Sequence, residues 1–376
     1  MAGIYIHIPY CKQKCSYCNF HFSTNLSSKN QMLNAICREL ELRKNELENE
    51  KIESIYLGGG TPSLLDLNDL EKIFSVIYQN YSLHTTPEIT LEANPDDLNS
   101  KKIKEFKSTV INRFSIGIQS FFDEDLVLMN RAHSAKEAFE SVKNVQNAGF
   151  TNITIDLIYG GQTTTNEMWK KNIETALKLN VPHISSYALT IEPKTLLNQQ
   201  IKTKKLADID EGKQEFQFNL LIELLTQNGF QHYEISNFSQ PGFQSRHNSN
   251  YWNGKKYIGI GPSAHSYDGK NRSWNKANNS IYLKKIEQNE LPSEFEELSI
   301  REQFNELLMI RLRRMEGLDL NEISTHFPKE FLDDLHKEIQ PYIQQNSMSL
   351  TNNTLKITKK ALFLSDGIIS NLFRID

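Results

Sequence analysis

The chain has 376 residues, of which 38% are hydrophobic and 23% charged, and 42 Lys and Arg against 46 Asp and Glu leave a net charge of -4. That length asks for one large domain with an appendage, and the mild acidity gives no reason to expect nucleic acid as the main partner. No apolar run nears the roughly 20 residues of a membrane-spanning helix, and the opening MAGIYIHIPY has no basic stretch ahead of a long apolar one, so the expectation is a cytoplasmic protein.

In chain order, short β-branched runs alternate with longer amphipathic ones, the pattern of repeated βα units on a parallel sheet. The spacing predicts strands over 4–8, 54–57, 88–92, 113–119, 152–159 and 183–189. Helices are predicted over 29–50, 66–80, 100–108, 134–148, 166–179 and 211–228, with Gly149 and Gly229 as C-terminal stops. Six such units make an α/β fold, a partial (β/α)6 TIM-like barrel with a smaller α+β domain at its C-terminus. In such a barrel the chemistry collects on the loops after the strands. The first strand runs into three cysteines, the second into GGGTPS, the third into EANPDD, the fourth into GIQSF and the fifth into DLIYGG.

The domain reading is a core over 1–232, a connecting segment over 233–298 and a C-terminal domain over 299–376. The connecting segment is rich in Gly, Ser, Asn and aromatics and predicts loops around short strands. The C-terminal domain predicts a helix from about 299, another over 329–345, and a hairpin turning at TNNT, together a winged-helix-like unit.

Cys11, Cys15 and Cys18 form CxxxCxxC and are three of the four cysteines in the chain. The fourth, Cys37, falls among apolar residues of a predicted helix and reads as a small buried hydrophobe. A closed zinc site takes four ligands; three crowded thiolates suit an iron-sulfur cluster with one iron left open. In the loops beyond, Gly58, Gly59 and Gly60 let backbone amides approach a ligand. Glu92 and Asp156 offer acceptors for an ammonium or for ribose hydroxyls, and Gln119 and Arg131 offer donors for a carboxylate.

A first strand ending in CxxxCxxC and a second ending in a glycine-rich loop resemble the radical S-adenosylmethionine (SAM) superfamily. The resemblance implies a 4Fe-4S cluster on Cys11, Cys15 and Cys18, SAM on the open iron, and an electron donor for the cluster. IYIHIPYCKQKCSYCNF, GGGTPS, EANP, IGIQS, RAHS and DLIYG further resemble the oxygen-independent coproporphyrinogen III oxidase (HemN) family. By that resemblance Tyr5, Tyr17, Gly59, Gly60, Thr61, Glu92, Gln119, Arg131 and Asp156 fall on SAM-contacting positions.

Two features depart from the oxidase pattern. Phe20 stands where the oxidase carries a further cysteine, and His247, Asn248, Tyr251 and Trp252 spell HNxxYW, which is similar to the hallmark of the HemW heme chaperones. That resemblance implies a protein that binds heme and passes it to recipient hemoproteins, such as respiratory ones, without oxidising coproporphyrinogen, and it makes those four residues candidates for heme contact. On its own a His in such a Gly- and Asn-rich loop is more often a hydrogen-bonded surface residue, and the motif match shifts His247 toward heme contact. The competing readings are a radical SAM enzyme acting on a tetrapyrrole and a structural metal module for protein interaction. His265 is a candidate for the SAM pocket, and the basic run 311–315 is a solvated helix face or a contact for an acidic partner or for lipid head groups at a membrane surface.

Overall fold

The computed structural model describes residues 1–375. Its centre is six parallel strands paired in chain order: β1 (Ala2–Ile8), β2 (Ile52–Gly59), β3 (Leu83–Ala93), β4 (Arg113–Gln119), β5 (Ile153–Tyr159) and β6 (His183–Ala188). An order without reversal is the order of a barrel rather than of a doubly wound sheet. Alternate side chains of these strands are buried on both faces, as strands covered by helices must be.

The outer layer is α1 (Lys29–Leu42), α2 (Leu67–Asn80), α3 (Ser100–Lys107), α4 (Asp123–Leu128), α5 (Ala135–Asn147), α6 (Asn166–Lys178), α7 (Leu196–Lys202) and α8 (Glu211–Gln227). Their starts follow local chemistry. Asp66 and Ser134 close capping boxes with Asp69 and Glu137, and Asn99, Thr165 and Asp210 each accept the amide three residues on. α1 stops at Leu42, well short of the expected 50. Arg43 turns inward to Glu39 and Glu46, and Glu48 and Asn49 take φ of 48° and 63°, which no helix continues through.

The segment 233–298 is built into this sheet on both of its edges. β7 (Gln231–Glu234) and β8 (Asn237–Ser239) extend it antiparallel beyond β6. After α9 (Arg246–Trp252), β9 (Tyr257–Ile260) lies parallel to β1, and β10 (His265–Tyr267), β11 (Asn271–Asn275) and β12 (Ser293–Glu297) continue antiparallel to a twelve-strand sheet. A buried Glu39 fastens this edge to α1: it pairs with Arg43 and accepts from the Gly261 amide (2.8 Å), Asn275 Nδ2 (2.7 Å) and the Tyr282 hydroxyl (2.6 Å). A carboxylate satisfied on every side is tolerated in a core where an unpaired one is not.

Residues 299–375 hold the helices Ile300–Leu312, Leu320–His326, Lys329–Glu338 and Gln340–Gln344 and a separate three-stranded sheet. Its hairpin, Met348–Thr351 with Thr354–Ile357, turns at Asn352 and Asn353, whose φ of 50° and 62° suit asparagine. The basic run 311–315 faces inward. Arg311 pairs with Glu322 and donates to the Trp252 carbonyl (2.7 Å), Arg313 pairs with Asp366 and lies over the Trp252 ring, and Arg314 donates to Asn253. These guanidinium groups join the C-terminal helices to α9 and are not a free cationic face.

Candidate functional site: a cysteine-lined cavity and its aromatic neighbour

The loops after β1, β2, β3 and β4 meet over a cavity of about 540 Å³. Cys11, Cys15 and Cys18 line it, all half-buried, together with Tyr17, Gly59, Gly60, Thr61, Glu92, Gln119, Arg131 and Asp156. These eleven residues come from five different βα units, so the barrel order brings together what the sequence separates by up to 145 residues, from Cys11 to Asp156.

Each thiol is held differently. Thr61 Oγ1 donates to Cys11 Sγ (3.2 Å), Arg131 donates to Cys15 Sγ (3.3 Å), and the Phe20 amide reaches the Cys18 thiol. Burial pushes the Cys11 thiol up to about 11, with the two neighbouring cysteines adding to the shift. Burial raises Cys18 as well, so these two thiols resist ionising until a cation shares the site. Among the described residues no three His, Cys, Asp or Glu side chains are set to share one metal ion. A 4Fe-4S cubane asks for something else, one thiolate at each of three separate corners, and a loop presenting three sulfurs to one cavity with hydrogen-bond donors behind them fits that demand.

The glycines are required by space. A Cβ on Gly60 would lie 2.5 Å from the Tyr10 carbonyl and 2.6 Å from that of Ile8, so the second loop sits directly on the first. A Cβ on Gly59, whose φ is +98°, would lie 2.4 Å from the His7 ring. Gln119, at the end of β4, has φ of +66°, a costly conformation for a residue with a side chain.

Opposite the cysteines the cavity holds two carboxyl groups. Glu92 accepts from the Tyr56 hydroxyl (2.9 Å) and the Gly59 amide (3.2 Å), and Asp156 accepts from Ser115 Oγ at 3.3 Å to each oxygen. Burial raises Glu92 to about 7, the neighbouring Asp156 adding to it, and burial raises Asp156 to about 6. Two carboxyls so placed favour a ligand that carries positive charge or hydroxyl donors. Arg131 donates to Asn94 Oδ1 (2.7 Å) and the Gly117 carbonyl (2.8 Å), while its buried Nε has no partner. SAM has an amino group, a sulfonium, a carboxylate and two ribose hydroxyls, and these donors and acceptors match it.

Sequence reasoning passed over Arg113, Ser115 and Gly117, which alternate with Gln119 along β4 and line the same cavity. Their signal is the period of two, polar or small residues interleaved with Phe114, Ile116 and Ile118 in a strand buried on its other face. Ser185 and Tyr187 on β6 follow the same rule.

Tyr5 does not join this set. It lies in β1 with its ring stacked on Tyr56 and its hydroxyl against His7 Nδ1 (3.2 Å), and it lines a second cavity of about 1170 Å³ between the β1–β9 edge and the helix Ile300–Leu312. Asn19 and Phe20 line both cavities and form their common wall. His265 also belongs to the second cavity and not to the first.

The four HNxxYW residues are divided. They form α9, a helix rather than the expected loop, started by Ser245, whose side chain caps the Asn248 amide. Asn248 lines the cysteine cavity, and Tyr251 and Trp252 line the second one. His247 lines neither: it is buried, with Nδ1 on Ser54 Oγ (2.9 Å) and Nε2 on the Tyr251 hydroxyl (2.8 Å), and burial lowers its pKa to about 3. With both ring nitrogens bonded it is not presented to a heme iron. It pins α9 to β2, and the expectation of a loop here is corrected to a helix.

Comparison with known proteins adds an independent line. Residues 5–186 match the model of the radical SAM superfamily, and residues 298–364 match the HemN C-terminal domain. The chain is 33% identical to "Heme chaperone HemW" of Lactococcus lactis over 372 residues, 99% of this chain and 97% of that protein. It is 37% identical to the protein of the same name from Haemophilus influenzae over 269 residues, 70% of this chain and 69% of the other. Among solved structures, coproporphyrinogen III oxidase (HemN) from Escherichia coli, described as a radical SAM enzyme, superposes with a TM-score of 0.85 at 21% identity, covering 99% of this chain and 90% of that one. At that identity the likeness is one of fold.

Proposed function

The chain belongs to the HemW family of radical SAM proteins, and from that premise we propose that it is a heme chaperone, binding heme and passing it to recipient hemoproteins while carrying a SAM-binding 4Fe-4S cluster. The observation that carries the reading is the near-full-length relationship to proteins named heme chaperones. Phe20, where the resembling oxidase has a further cysteine, accords with it.

In this reading Cys11, Cys15 and Cys18 each hold one iron. Thr61 and Arg131 steady two of the sulfurs by the hydrogen bonds described above. Tyr17, Gly59 and Gly60 shape the pocket for SAM, Glu92 and Asp156 take its cationic and hydroxyl groups, and Gln119 and Arg131 face its carboxylate. When bound, the reduced cluster with SAM supplies one-electron chemistry. The chain's own residues bind and orient the ligand there.

Two partners of this reading have separate tests: an electron donor, by reduction of the reconstituted cluster with candidate flavoproteins or ferredoxins, and peripheral membrane contact, by co-sedimentation with anionic vesicles. Among the described residues no helix is long and apolar enough to cross a membrane.

The decisive experiment is anaerobic reconstitution followed, on one sample, by heme titration and a coproporphyrinogen turnover assay. Saturable heme binding with coproporphyrinogen left unchanged is the expected result. Formation of protoporphyrinogen would move the chain to the oxidase reading, and absence of heme binding would remove the chaperone reading.

A further inference from the structure

The second cavity lies across Asn19 and Phe20 from the cysteines and is the larger of the two. Its walls are aromatic: Phe20 and Phe22 from the cysteine loop, Tyr251 from α9, and Tyr257 and Tyr267 from β9 and β10. Flat faces at several depths suit a planar, largely apolar ligand. Phe20 is 69% exposed, a large apolar side chain left in solvent at the wall the two cavities share. Such a residue is unfavourable in water and gains most when a flat ligand covers it.

Three imidazoles line this cavity, and their hydrogen bonds sort them. His7 is spent, with Nδ1 on the Tyr5 hydroxyl (3.2 Å) and Nε2 on the His21 carbonyl (2.8 Å). His21 uses Nε2 on Asn279 Oδ1 (2.7 Å) and keeps Nδ1 without a hydrogen bond. His265 has no side-chain hydrogen bond; it is exposed, and its ring lies nearly parallel to that of Trp274, its cross-strand partner, at 6.0 Å and 30°. With neither ring nitrogen hydrogen-bonded, His265 can offer one to a metal without giving up a contact. The cation of this cavity is Arg272, one strand over from His265, ion-paired with Glu306 and lying over the Tyr267 ring at 5.5 Å. Glu296, Glu302 and Glu306 line the same cavity and Arg272 is already paired, so the carboxylates of a ligand would lie toward solvent.

We infer that this cavity is the heme site, that His265 supplies an axial ligand to the iron, and that Phe20 stacks on the macrocycle, setting the heme against the wall of the cluster cavity. The inference rests on the chaperone reading and adds to it the place and the ligand. It also gives Phe20 work that a cysteine at that position would not do.

The test is a hemin titration of the full-length reconstituted protein, read by the Soret band and by resonance Raman, for wild type, His265→Ala and Phe20→Ala, with thermal unfolding of each variant. His265→Ala is expected to weaken heme binding at least tenfold and to lose the imidazole-ligated spectrum, both restored by added free imidazole, with unfolding unchanged. Phe20→Ala is expected to weaken binding severalfold while keeping the ligation spectrum. Wild-type heme binding with an unaltered spectrum in His265→Ala, or a loss that imidazole does not restore, overturns the inference and leaves the chaperone reading intact. No heme binding by the wild type overturns both.

Discussion

Glu92 gives the sharpest test of the SAM pocket. Burial holds its carboxyl at about 7, so below that pH the ligand-free pocket keeps it protonated, whereas a cationic ligand needs it ionised. Binding therefore expels a proton below about pH 7, and affinity rises with pH through that range. From about pH 8 to about pH 5.5 the ionised fraction of such a group falls about 30-fold, equivalent to about 2 kcal/mol. That is an upper value, because the carboxyl faces a cavity reached by solvent. Glu92→Gln keeps the shape and removes the titration. At pH 8 the variant loses a charge-assisted contact and binds SAM about 10- to 100-fold more weakly. Its remaining slope is the about fourfold that Asp156, at about 6, contributes over the same range. SAM affinity of the anaerobically reconstituted protein, measured by equilibrium dialysis across that pH span for both proteins, reads the difference directly, since titration of SAM itself cancels in the ratio. Equal slopes in wild type and variant would refute the assignment of Glu92 to the cationic end of SAM.

Replacing Cys11, Cys15 or Cys18 singly by Ala abolishes the brown 4Fe-4S absorbance on reconstitution, while Cys37→Ala, on the buried face of α1, leaves it in place. Gly60→Ala drives a methyl into the Tyr10 and Ile8 carbonyls; it lowers stability by about 2 to 4 kcal/mol in denaturant unfolding and reduces cluster yield, since the cysteine loop must move aside. His247→Ala leaves Ser54 and Tyr251 without their shared partner and costs about 1 to 3 kcal/mol of stability, while the Soret position of bound heme stays where it is in the wild type; a lost or shifted band in a folded variant would instead make His247 the ligand.

Much of this protein is written locally. Isoleucine-rich runs broken by capped amphipathic helices specify parallel βα units because both faces of such strands must be covered, and β4 has the bounds expected for it at 113–119. CxxxCxxC and GGGTPS declare their chemistry through spacing alone, since thiolate crowding and missing Cβ atoms are properties of neighbours in the chain. What lies far apart in sequence was decided by the tertiary structure. The Gly- and Asn-rich stretch after residue 232 gives no periodicity, because β8 to β12 are short and take their place by pairing with β6, β1 and one another. The HNxxYW motif names His247, yet its two ring nitrogens are taken by Ser54, 193 positions away, and by Tyr251. Among the three imidazoles of the second cavity, hydrogen bonds take both nitrogens of His7, one of His21 and neither of His265, a ranking that no motif carries. A sequence states which side chains can ligate; only packing states which of them is already satisfied.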